Sequence, residues 1–133
     1  MKEVLCLATG KTYDLIWRTG ITAHPTTPPY PKERAEYLVP IKKGGILEYL
    51  YDVVEIIDCY PEDVYEYQDA LTAEYYDRLC RYHEERSATF GYSKTGIKYR
   101  FYVLKLHNPI KKNCVRKGIQ VSTRLDLAEL ESL

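Results

Sequence analysis

The residues whose spacing is best suited to chemistry are a cysteine and a histidine three positions apart. Cys80 and His83 would face the same way on a helix, which gives half of a tetrahedral zinc site. No second pair stands at matching spacing, and no local motif joins a thiolate to a base for hydrolysis. The sequence therefore predicts no metal site, no cofactor and no specific catalytic residue.

Two further patterns fall short of known catalytic arrangements. Gly10-Lys11-Thr12 lacks the upstream glycine of a phosphate-binding loop, so we interpret it as a turn and a helix cap. Asp52, Glu55 and Asp58 are three residues apart on a predicted strand, where neighbouring carboxylates point to opposite faces unless a bulge intervenes. A two-metal nuclease is therefore poorly supported.

Aromatic and basic residues form the most coherent pattern. The chain has fourteen tyrosines, two phenylalanines and one tryptophan, and many of the tyrosines are expected only to cover strands and a helix. Stacking a base on such a ring contributes about 1 to 3 kcal/mol, and lysines and arginines can hold the phosphate backbone. The candidate ligand-binding residues are Tyr13, Trp17, Arg18, Tyr37, Lys42, Lys43, Tyr49, Arg100, Lys111, Lys112 and Arg116.

The charges are segregated along the chain although they sum to zero. Residues 48–85 contain twelve acids and two bases, whereas residues 86–124 contain ten bases and no acid. A basic face formed by the second segment would attract phosphates, because local potential steers a polyanion. The alternative is that the two segments are neighbours in the fold and neutralise each other.

The N-terminal half is predicted to contain three strands and one short helix. Residues 4–8 form a buried strand, and Thr12 caps a helix that Gly20 closes. The proline-rich residues 23–31 indicate a loop. Two more strands follow, at 36–41, where Pro40 indicates an edge or a bulge, and at 46–59, after a Gly44-Gly45 turn and with a bulge near 52–55.

The C-terminal half is predicted to begin with a helical segment. Pro61 begins it, an apolar stripe continues to about Glu85, and a break is expected near 69–72. The remaining predictions are a strand at 98–106 turned by Asn108-Pro109, extended pieces at 110 and 115–121, and a final helix with Thr123 and Asp126 as a capping box.

Together these elements predict a single α+β domain over residues 1–133. Five or six strands form a curled mixed sheet or pseudo-barrel with peripheral helices, and an acidic helical insert occupies about 61–86. The four dispersed cysteines favour reduced thiols, and no apolar run is long enough for a membrane span or a signal peptide. We therefore expect a cytoplasmic protein with no membrane partner.

Several segments resemble the PUA-like superfamily, which includes the EVE, ASCH and YTH domains. Residues 4–8 and 36–57 are similar to the strands and glycine turn of such domains, and residues 99–110 resemble their late strand with its proline-isoleucine pair. Residues 121–127 are similar to the short helix that closes EVE-like forms. The resemblance covers about half of the chain.

This resemblance implies binding of RNA or DNA without chemistry, often by turning a modified base into an aromatic-lined pocket. It implies stacking roles for Trp17 and Tyr37, because the pocket opens near the first helix and the central strands. The acidic insert departs from a minimal domain of this kind. It is expected to cover the basic surface, dock a partner or act as a spacer.

Two other functions stay open from the sequence. The acidic helix could dock a basic partner or a second copy of the chain, which would make the protein an interaction subunit. A small ASCH-type hydrolase or transferase acting on nucleosides would need a lysine, a tyrosine and an acid in its pocket, and nothing in the sequence pairs Lys11, Lys42 or Lys43 with a carboxylate.

Overall fold

A computed structural model of the protein describes residues 2–113 and 122–133. These residues form an α+β fold in which six strands make one curled, mixed sheet, a half-barrel. The strands are β1 (Glu3–Ala8), β2 (Ile21–Pro25), β3 (Tyr37–Lys42), β4 (Ile46–Cys59), β5 (Tyr99–Asn113) and β6 (Ser122–Asp126). The helices are α1 (Tyr13–Thr19), α2 (Ala73–Thr89) and α3 (Leu127–Glu131), with 3₁₀ turns at Gly10–Thr12 and Pro61–Tyr67. No helix among the described residues is long and apolar enough to cross a membrane.

The strand order across the sheet is β2-β5-β4-β3-β1-β6. Only β1 and β3 pair in parallel, and the other neighbours are antiparallel. The Gly44-Gly45 turn has positive φ at both glycines, 89° and 78°, and joins β3 to β4 as predicted. The predicted bulge in β4 is confirmed by a register shift between Val53 and Glu55, which bends this long strand.

Proline positions account for two differences from the sequence predictions, and a third proline lies where one was expected. Part of the expected 23–31 loop is β2, an edge strand that ends at Pro25 and tolerates a residue without an N–H. Pro40 lies in the interior strand β3, and of the two alternatives predicted there, an edge or a bulge, the register shift between Leu38 and Ile41 confirms the bulge. Asn108-Pro109 does not turn the chain: β5 continues to Asn113, and β2 pairs only with residues 99–103.

The C-terminal end also differs from its prediction. Residues 122–126 form β6 on β1, whereas the resemblance implied a short helix at 121–127. The capping box joins Asp126 to Glu129, and not to Thr123, because α3 begins only at Leu127. At α1, the Thr12 hydroxyl donates to the Thr9 carbonyl instead of capping the helix. The predicted extended piece at 115–121 lies outside the described residues.

Alternation along the strands buries both faces of the sheet. On β1, Val4 and Cys6 pack with Leu125 and Leu130 on one face, while Leu5 and Leu7 lie on the other face. The acidic segment contributes to a third buried cluster through Val64, Leu79 and Tyr82, all with no exposed surface. The 3₁₀ turn and α2, separated by the predicted break, therefore belong to the folded core.

One arginine of α2 connects three elements. The Arg78 guanidinium donates from Nε to the Thr19 carbonyl at 2.9 Å, and from Nη2 to the Gly20 carbonyl at 3.1 Å and to the Leu104 carbonyl. Gly20 has φ of 69° and ends α1 in the left-handed conformation. These bonds hold α2 against the end of α1 and the middle of β5.

Gly20→Ala is expected to destabilise the fold by about 2 to 4 kcal/mol. The left-handed φ strains alanine, and the added Cβ would lie 2.2 Å from Arg78 Nη2, which weakens charge-assisted bonds. Gly91→Ala is the matched control, since Gly91 has φ of 68° with no atom near the added Cβ. It should cost only about 1 to 2 kcal/mol. Urea denaturation measures both, and equal losses would contradict the role given to Arg78.

Candidate functional site

A row of aromatic rings, with Trp17 as its exposed member, lies where α1 meets β4. Tyr13 and Trp17 are four residues apart and share one face of the helix. Trp17 stacks on Tyr49 with ring centroids 4.6 Å apart and planes at 23°, and Tyr49 contacts Tyr51 at 6.4 Å. Trp17 is still 53% exposed, so its ring presents surface to a flat ligand.

Lys42 and Glu48 extend the aromatic row toward the β3–β4 turn. The Tyr13 hydroxyl donates to Glu48 at 2.6 Å, and Lys42 Nζ lies 3.2 Å from the same carboxylate and 5.5 Å from the Tyr13 ring centroid. The hydrogen bond from Tyr13 lowers the pKa of Glu48, whereas burial and then this bond raise the pKa of Tyr13. The structure thus supplies the lysine–carboxylate pair that the sequence did not locate, and places it at a partly exposed position.

A groove of about 420 Å³, here called the basic groove, opens beside Trp17. The last turn of α1, the first half of α2 and the middle of β5 form its walls. Its charged lining residues are four bases, Arg18, Arg78, Arg81 and Lys105, and one acid, Glu74. Trp17, Tyr51 and Leu106 supply the apolar surface, and Leu106 is 42% exposed.

The bases of the basic groove are held to different degrees. Arg78 is fixed by its three carbonyl acceptors. Arg18 lies 3.3 Å from Glu85, and Arg81 lies 3.9 Å from Asp77, with all four side chains largely exposed. Exposed ion pairs contribute at most about 1 kcal/mol, so a phosphate can replace these carboxylates at small cost.

A second, more enclosed cavity of about 150 Å³ lies beside the start of α1 and is here called the polar cavity. The end of β1, the strand β2, the loop after it and the end of α2 surround it. Its polar side chains are Thr9, Thr12, Thr22, His24, Tyr30, Arg86 and Ser93. The lining includes one permanent cation and no carboxylate, so it favours a ligand rich in hydrogen-bond acceptors.

His24 forms a buried wall of the polar cavity. Its Nδ1 donates to the Pro25 carbonyl at 2.7 Å, which leaves Nε2 to accept from the Tyr102 hydroxyl at 2.7 Å. The Tyr30 ring stacks on the imidazole with planes at 6° and centroids 5.6 Å apart. Burial lowers the pKa of His24, so the ring is neutral near pH 7.

Arg86 is the cation of the polar cavity and is held by tyrosines. Its guanidinium carbon lies 4.5 Å from the Tyr92 ring centroid and 5.5 Å from that of Tyr99. Nη1 donates to the Tyr82 hydroxyl at 2.8 Å, and Nε donates to the Gly91 carbonyl at 3.1 Å. Such fixed donors cost little conformational entropy when they meet a ligand.

Of the residues predicted from sequence, Tyr13, Trp17, Arg18, Lys42 and Tyr49 come together around α1 and the basic groove.

Tyr37 is buried on the far face of the sheet beside His107, away from Trp17. Arg100 makes a bidentate ion pair with Asp58 and donates to the Lys32 carbonyl, so its donors serve the fold. Lys43 lies exposed in the glycine turn.

The remaining predicted bases lie near the C-terminal end of β5 or beyond it. Lys111 is exposed with φ of 51°, and Lys112 donates to the carbonyls of Glu131 and Leu133. Arg116, like Cys114, lies outside the described residues.

Strand pairing partly settles whether the acidic and basic segments meet. The antiparallel register sets Asp58 opposite Arg100 and Asp52 opposite Lys105. Asp58 is neutralised by Arg100, whose hydrogen bonds lower the pKa of the carboxyl group. Arg100 is therefore neutralised by the acidic strand, and any attraction for phosphates rests on the other bases of the segment.

The Cys80–His83 pair does not gather metal ligands. His83 Nδ1 lies 2.9 Å from the Tyr92 hydroxyl, and burial lowers the pKa of this imidazole. Within residues 2–113 and 122–133, no group of three or more Cys, His, Asp or Glu side chains is placed to bind a metal.

Sequence reasoning missed the polar cavity. His24, Tyr30 and Arg86 are separated by up to 62 positions, and they come together only when β2, the loop after it and the end of α2 meet in the fold. The one local signal was the threonine content around His24, because residues 19, 22, 26 and 27 are all threonines.

No family model, curated protein or solved structure matches the chain. The structure shares with the PUA-like expectation a curled, mixed six-stranded sheet. The basic groove and the polar cavity are the features of this fold that indicate a function.

Stability is expected to fall as the pH drops below about 6.5, the ordinary pKa of histidine. Below that pH the unfolded chain binds a proton at residue 24, whereas in the folded protein buried His24 stays neutral until the pH reaches its lowered pKa. The free energy of unfolding therefore falls by up to about 1.4 kcal/mol per pH unit. Chemical denaturation between about pH 5.5 and 7.5 avoids most carboxylate titration.

In that experiment, His24→Gln should reduce the slope of the free energy of unfolding against pH. His83→Gln should leave the contribution of His24 to that slope unchanged. An unchanged slope in His24→Gln would show that His24 is not buried in its neutral form.

Proposed function

We propose that this protein binds RNA or DNA without catalysing a reaction, and that one base enters the polar cavity. The observation that carries the proposal is the cavity itself, which encloses fixed hydrogen-bonding groups beside two stacked rings. Pockets of this type, with a few convergent polar groups, are where small ligands bind in proteins.

Size supports a single base as the occupant. Pockets for drug-sized molecules measure about 300 to 1,000 Å³, and the polar cavity is about 150 Å³. It therefore suits one ring system. A base in a duplex cannot reach such a site unless it leaves the stack, which the PUA-like resemblance also implies.

Charge around the cavity supports a nucleic acid over a neutral molecule. Arg86 offers donors inside, and the exposed Lys11 and Lys94 are the immediate chain neighbours of the lining residues Thr12 and Ser93. Lysines at a cavity mouth bind phosphates through charge, so affinity should weaken as salt displaces them.

The binding test compares single-stranded RNA, duplex DNA and cytosine-modified duplex DNA, each carrying a fluorescent label, at about 50 and 200 mM salt. We expect salt-sensitive binding to at least one of them by anisotropy. Ser93→Tyr should weaken it about tenfold or more, because the ring fills the cavity and displaces the base. Thr95→Tyr, an exposed change two residues away and outside the lining, should bind like the parent protein.

Absence of binding to all three probes at low salt would contradict the proposal. Equal affinities for the Ser93 and Thr95 variants would instead move the base out of the polar cavity.

A protein-docking role for the acidic segment is the second candidate. Tyr65 is 45% exposed in the 3₁₀ turn, and its hydroxyl donates to Glu84 of α2, so an aromatic ring stands amid carboxylates. A basic peptide fits that chemistry. Sedimentation of the purified protein would reveal self-association, the other form of this role.

A further inference from the structure

We propose that the basic groove is a second subsite of the same nucleic acid, in which Trp17 stacks the base of a nearby nucleotide, so that the ligand is single-stranded. This inference rests on the proposed function, because the strand that crosses the groove is the one whose base fills the polar cavity. It specifies a single-stranded ligand, which the polar cavity alone does not.

Trp17 has the geometry of a stacking platform. Tyr49 supports one face of the indole at 4.6 Å, and 53% of the side chain is exposed at the edge of the basic groove. Because Tyr49 already supports the indole of Trp17, a base can stack on the exposed face without moving the ring. Base–aromatic stacking tolerates any base, since each has a π-face.

The cations of the groove fit a phosphate backbone beside that ring. Arg18 and Arg81 make only exposed ion pairs, with Glu85 and Asp77, which phosphates can displace. Lys105 adds a third exposed charge on β5. Glu74 is the one acid of the lining, and it lies 3.6 Å from Arg78.

Helix α1 sets the distance between the two subsites. Thr12, which lines the polar cavity, precedes α1, and Trp17, which lines the basic groove, lies in its last turn, about 7.5 Å further along the axis and about 140° around it. The two subsites therefore lie on different sides of α1, and an extended single strand reaches both by passing along and around the helix. A duplex keeps its neighbouring bases stacked on each other, so it offers no free face to Trp17.

The chain has a single tryptophan, so its fluorescence reports the groove directly. The probes are an adenine-rich RNA of about eight nucleotides and the same sequence in a duplex. We expect the single strand to quench Trp17 emission and the duplex to leave it nearly unchanged. Trp17→Ala should weaken single-strand affinity roughly 5- to 150-fold by anisotropy, while Trp17→Phe keeps most of it.

Two control variants separate stacking from charge. Tyr65→Ala removes another exposed ring, 45% exposed against 53% for Trp17, on the acidic side and should not change affinity. Lys105→Gln should lower the slope of log affinity against log salt by about 0.7, the share of one phosphate on a single strand.

The failures of the two proposals are distinguishable. Binding by anisotropy without Trp17 quenching, and with Trp17→Ala unchanged, overturns the second subsite and leaves the polar cavity in place. No binding in either assay overturns both. Equal quenching and affinity with a glutamate-rich peptide would show that the groove binds acidic protein segments instead.

Discussion

The guanidinium of Arg78 is the contact on which both candidate sites depend. It donates to the carbonyls of Thr19 and Gly20 at the end of α1 and of Leu104 in β5, and so joins both elements to α2. Gly20 allows this approach because it has no Cβ and a left-handed φ. The position of α1 then fixes Thr12 at one cavity and Trp17 at the other. The left-handed turn at Gly20 thereby helps to set the spacing between the two candidate sites.

The acidic segment also supplies cations to both candidate sites, which its composition does not indicate. Its two arginines and the one that follows it face inward or toward the groove: Arg78 and Arg81 line the basic groove, and Arg86 lines the polar cavity. Arg78 and Arg86 are eight residues apart on α2, about 12 Å along the helix. A helix with an acidic outer face thus supplies cations to both sites. Net charge of the segment is a poor guide to the potential at its inner face.

Local patterns were sufficient for most elements and insufficient for the sites. The apolar run of β4 and the left-handed Gly20 are short-range features, and their predictions are confirmed. Pairing is what the sequence could not supply. Trp17 meets Tyr49 across 32 positions and His24 meets Tyr102 across 78, so the platform and the cavity wall form only when the sheet curls. The turn predicted at Asn108-Pro109 was wrong because residue 109 lies where β5 has no β2 partner, so a residue without a backbone N–H is tolerated within the strand.

A single strand that occupies both subsites must contact both sides of α1. Nuclear magnetic resonance of ¹⁵N-labelled protein, titrated with a short single-stranded oligonucleotide, tests it residue by residue. The account predicts coincident shifts at the amides of Thr12, Thr22 and Ser93 and at the Trp17 indole N–H. Shifts confined to the acidic face of α2, around Asp77 and Glu84, would contradict it.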